Sequence, residues 1–194
     1  YSDQEVVFRL KPFMALTPEF VDKRATSQLH PPGSVVISWE GTKLDLAGEA
    51  PHSWIQQAQL LGPVLPGVTQ IEMGQLVDTD VKQFETVKAS LEKNIITFGV
   101  GESSLSQDQR DALKAIVQTL QVLDQSAIIL GRSLRIHIHG FTSPDGSHAM
   151  NKQLSVLRAK AVLNELGEGS FRAISFRTMG IEAKALAVLV SGDH

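Results

Sequence analysis

The chain has 194 residues, a net charge of −3, 42 % hydrophobic and 20 % charged residues, and no cysteine. This fits one large or two small globular domains with a buried core. It excludes disulfides, cysteine-based zinc sites and thiol catalysis, and the acidic balance argues against nucleic acid as the main partner.

No uncharged apolar run reaches the roughly 20 residues that a bilayer-spanning helix needs. Gly62, Pro63, Pro66 and Gly67 interrupt the uncharged stretch 54–71. The chain begins at Tyr1 without an initiator Met or a signal sequence. It reads as a piece of a longer protein, with any export signal or anchor upstream.

In chain order, residues 17–29 predict a short helix, with Thr17 as cap and Pro18 at the first helical position. His30-Pro31-Pro32-Gly33 stops it. Val35–Trp39 and Lys43–Ala47 predict a hairpin of two strands around Glu40-Gly41-Thr42. A second helix is expected from Ser53 to Leu61, because Trp54, Ala58 and Leu61 recur at helical spacing. Pro66-Gly67 then turns the chain into a third strand, Val68 to Val77. Residues 79–93 predict a helix, with Val81, Phe84, Val87 and Leu91 on one stripe.

The second half opens on an expected strand, Ile95–Phe98, followed by a loop at Gly99 and Gly101. Ser106 and Gln109 form a capping-box pattern ahead of a long helix to about Ala127. Leu134, Ile136 and Ile138 alternate with Arg135, His137 and His139, the pattern of a half-buried strand. Gly140 to Gly146 is a loop, and a helix is expected from Ser147 to Leu166. Strand candidates at 172–177 and 185–190 follow. The order β-α-β-α-β implies an α/β (α+β) unit with a mixed sheet and helices on one face.

Gly140-Phe141-Thr142-Ser143-Pro144-Asp145-Gly146-Ser147, leading into Asn151-x-x-Leu154-Ser155-x-x-Arg158-Ala159, resembles the signature of OmpA-like (OmpA/MotB C-terminal) domains. Ile174-Ser175-Phe176-Arg177-Thr178-Met179-Gly180 is similar to a later stretch of that family. Lys43–Ala50, a helix, and Leu65-Pro66-Gly67-Val68 are similar to a BON domain of order αββαβ. The resemblances imply a BON-like domain at 1–80, a connecting helix at 81–93 and an OmpA-like domain at 94–194.

The OmpA-like resemblance implies a non-catalytic module that binds the diaminopimelate of peptidoglycan and tethers its parent protein to the wall. The setting would be the periplasm or cell envelope of a Gram-negative-type bacterium, with a membrane-associated parent. No cofactor is implied; other envelope proteins and self-association remain open as partners. In the family an Asp takes the ligand's ammonium and an Arg its carboxylate. Carried over by position, the ligand-binding residues are Arg158, Asn151 and Thr142, with Ser143 in the place of the Asp and Arg177 from the later stretch. A family Asn falls on Gly101. Losing one charge-assisted hydrogen bond of about 1.5–3 kcal/mol weakens binding about 10- to 150-fold. Asp145 either supplies the missing carboxylate or is a turn residue of Pro-Asp-Gly.

The residues themselves permit the same chemistry. Asn151, Ser155 and Arg158 share one helix face, with Leu154, Leu157 and Ala161 expected to pack inward. A helix start behind a glycine loop suits a carboxylate, which an arginine can clamp with two parallel bonds. Ser143 leaves open an alternative: an OmpA-fold interaction or oligomerisation module that has lost wall binding. An enzyme site assembled from distant residues is a third reading. His137 and His139, with His148, have zinc-ligating chemistry, but the spacing offers no further donor, and no metal site is expected. Trp39 and Trp54 are read as core.

Overall fold

The computed structural model describes residues 15–167, 170–180 and, for the backbone, 188–193. The chain divides into two compact units between Val77 and Asp78.

The first unit runs α1 (Pro18–Leu29), β1 (Val35–Glu40), β2 (Lys43–Ala50), α2 (His52–Leu61), a single 3-10 turn and β3 (Gln70–Asp78). The three strands form one sheet in that order. β1 and β2 pair antiparallel with Glu40 opposite Lys43, so Gly41-Thr42 is a two-residue turn, and Gly41 takes the positive φ of 65° that it requires. Leu44 and Leu46 of β2 alternate inward onto Ala25, Leu29, Trp54 and Ala58. Trp54 is buried and donates to the Leu29 carbonyl at 2.7 Å, while Trp39 donates to Asp22 at 2.8 Å. Both indoles are therefore structural. Thr17 stands at the cap of α1, but its side chain makes no cap bond; its backbone carbonyl receives Phe20 and Val21 instead.

The second unit contains α3 (Thr79–Leu91), α4 (Gln107–Ile129), β4 (Ser133–Gly140), α5 (His148–Leu166), β5 (Ile174–Gly180) and β6 (Val188–Asp193). Asp78 caps α3 by accepting from Asp80 and Val81. Phe84 and Leu91 of α3 are buried in the same core as α4 and the sheet, so this helix is part of the second unit. The Ser106/Gln109 capping box opens α4. The sheet is mixed, with β4 central, parallel to β5 and antiparallel to β6. Leu134, Ile136 and Ile138 meet Leu113, Leu120, Leu123, Ala159 and Val162 on one face.

One expected strand is absent. Residues 95–98 carry no ladder among the described residues. The apolar pattern there serves packing, not pairing: Ile96 is buried and Phe98 packs against the core, while the Thr97 carbonyl accepts from the Gln109 side chain.

A second correction concerns the inward face of α5. Ser155, Arg158, Ala159, Val162 and Leu166 are buried, whereas Leu157 is exposed. The cause lies in the sheet. β4 and β5 end in the paired glycines Gly140 and Gly180. A β-carbon on Gly140 would meet the Ser155 carbonyl, and one on Gly180 would meet Ser155 Oγ and Val156. Such close backbone approach selects the small face of the helix, not its leucines.

Candidate ligand-binding site

Residues 141–147 carry the chain from β4 into α5, and α5 itself holds their shape. Asn151 Nδ2 donates to the carbonyls of Ser143 and Asp145, both at 3.1 Å. Gly146 takes a φ of 103°, which favours glycine. Ser147 caps the helix by accepting from the Met150 amide. The Pro-Asp-Gly turn is thereby fixed from both ends.

Arg158 does for a second loop what Asn151 does for the first. Its Nε donates to the Glu102 carbonyl at 2.7 Å, Nη1 to Phe141 at 2.8 Å and Nη2 to Gly99 at 2.8 Å. The guanidinium also lies over the Phe98 ring, 5.3 Å from its centre. It is 8 % exposed. Burial pulls its pKa below the ordinary arginine value, and the Glu102 carboxylate acts in the opposite sense. Three of its five N–H groups thus tie down backbone among the described residues, and two remain. Arg158 is first a clamp between the 98–102 loop, the end of β4 and α5.

Between the two clamped loops is an open pocket of about 530 Å³. Phe98, Val100, Met150 and Leu154 give it apolar walls, and the start of α5 gives it a face of positive dipole potential. Ser143 and Asp145 stand exposed at its rim. Thr142 is 6 % exposed, and its Oγ1 is buried with no hydrogen-bond partner. Burying a hydroxyl unpaired costs about 1–3 kcal/mol.

Residues 97–188, which include this pocket, match the model of the OmpA family. The second half of the chain is an OmpA-like domain. No curated protein matches the chain. OmpA-family domains are in general peptidoglycan-associating, non-catalytic modules of the bacterial cell envelope.

The OmpA-like domain brings Thr142, Ser143, Asp145, Asn151 and Arg158 around one pocket. Arg177 is not among the lining residues. It is exposed on β5, paired with His137, on the sheet face away from α5. The 98–102 loop forms a wall of the pocket; the resemblance places a family ligand position in this loop, at Gly101, which takes a φ of 69°. Missed in the sequence was Asp124, a buried carboxylate in α4 that accepts from the backbone amides of Arg172 and Ala173. Its role is to fix the entry to β5.

Among the described residues no group of three or more His, Cys, Asp or Glu is placed to hold a metal ion. Among them, too, no helix is long and apolar enough to cross a membrane.

Proposed function

We propose that the OmpA-like domain binds the diaminopimelate side chain of peptidoglycan in this pocket and so holds its parent protein to the wall of a Gram-negative-type bacterium without a covalent bond. The observation that carries the reading is the unpartnered Thr142 hydroxyl beneath a pocket that Arg158 and the amide end of α5 also line. A ligand carboxylate there meets the helix dipole and the two remaining N–H groups of Arg158. Asp145, held at the rim by Asn151, takes the ammonium in place of the acid that Ser143 lacks. The first unit, with its order αββαβ, is proposed to be BON-like.

A second reading keeps the fold and drops the ligand: an interaction or oligomerisation module. Ser143 favours it, as does the engagement of Arg158 by three backbone carbonyls. Co-sedimentation with purified peptidoglycan separates the two. Wild type is expected to pellet with the wall, and Thr142→Val and Asp145→Asn to pellet less. Equal recovery of all three in the pellet, or none of them there, removes the wall-binding reading.

A further inference from the structure

β4 carries imidazoles at successive positions of its outer face, His137 and His139, with ring centres 6.1 Å apart. In the parallel ladder His139 pairs with Met179 of β5, and His137 with Arg177. Residues paired across a ladder point to the same side of a sheet. The burial pattern agrees: Ser175, Arg177 and Met179 are the exposed positions of β5, while Ile174 and Phe176 face the helical core. The fold therefore gathers two imidazoles and a thioether, forty residues apart in sequence, at one end of the outer sheet face.

We propose that His137, His139 and Met179 form a binding site for a soft monovalent metal ion, Cu(I). The donor set selects it: thioether sulfur prefers Cu(I), and imidazole accepts it as well. The spacing is suitable. A metal about 2 Å from a ring nitrogen lies about 3 Å from that ring's centre, so two rings flanking one ion stand about 6 Å apart. One side of the site is already fixed, because His139 is 9 % exposed and stacks on Phe141 with ring centres 6.2 Å apart. The surrounding charge points the same way. Arg177 shares this face, and its repulsion on a bound ion grows with the ion's charge, which penalises Zn(II) more than Cu(I). The sequence alone suggested only a zinc site short of donors; the strand register adds the sulfur that changes the metal.

The test is anaerobic titration of the whole chain with Cu(I), kept reduced by ascorbate, in competition with the chromophoric chelator bicinchoninate. One equivalent is expected to be withdrawn from the chelator. Met179→Leu and His137→Gln are each expected to weaken uptake by about tenfold or more, and Zn(II) is expected not to compete. Met179 is 45 % exposed, so its replacement by leucine leaves the fold in place and makes it the deciding variant. Absence of uptake, or uptake that Met179→Leu leaves unchanged, overturns the site.

Discussion

The carbonyl of Ser155 lies where a side chain on Gly140 would begin: a β-carbon there would overlap the oxygen. Neither atom can yield by a rotamer change, since one belongs to helix backbone and the other to the central strand. Gly140→Ala must push α5 off the sheet, and with it Arg158 and Asn151. Overpacking of this kind costs about 1–3 kcal/mol or more. A lower urea midpoint for the OmpA-like domain is expected, together with loss of the pocket; an unchanged midpoint would mean that α5 stands clear of β4.

Arg158→Lys keeps the charge and removes the fork. A lysine ammonium cannot reproduce the planar geometry that reaches Gly99, Glu102 and Phe141 at once. At least one carbonyl loses its partner, at about 1–3 kcal/mol. Faster amide hydrogen exchange is expected in 99–102 and 141–143, with little change in the first unit. If only ligand binding fell and exchange stayed the same, the clamp role would be wrong.

Asp124 offers a cleaner separation of charge from hydrogen bonding. Asp124→Ala removes the carboxylate to which the partly buried Arg172 and Ala173 amides donate, and a hydrogen bond to a charged group contributes about 1.5–3 kcal/mol. Asp124→Asn keeps one acceptor oxygen at the same distance from the chain. The asparagine variant is therefore expected to unfold at a denaturant concentration between those of wild type and alanine. Equal loss in both would assign the stabilisation to the negative charge instead.

What was legible in the sequence was what periodicity and local chemistry control. The Ser106/Gln109 box, the Gly41 turn and the alternation of Leu134, Ile136 and Ile138 each depend on residues within a few positions of one another. What escaped depended on distant backbone. The orientation of α5 follows from Gly140 and Gly180, so the leucine stripe pointed to the wrong face. The strand expected at 95–98 had the composition of a strand, yet its Thr97 carbonyl is taken by a side chain from α4. The Asn151, Ser155, Arg158 face was correctly grouped, but spacing cannot tell whether a helix face looks to solvent or to a sheet. Arg158 looked like a group held out to a ligand, and it is largely spent on its own chain.

Thr142 and Asp145 allow the pocket to be tested without disturbing that clamp. Thr142→Val removes a hydroxyl that has no partner to lose, so stability is expected to hold or to rise by up to about 1 kcal/mol. Affinity for a diaminopimelate-containing stem peptide, measured by calorimetry, is expected to fall by about 2- to 13-fold, the worth of one neutral hydrogen bond. Asp145→Asn is expected to cost more, about 10- to 150-fold, because it removes a charge-assisted contact. That larger loss must vanish when the peptide's free amine is acetylated, since the two changes delete the same interaction. A loss that persists with the acetylated peptide would place Asp145 away from the ammonium and return it to its role in the turn.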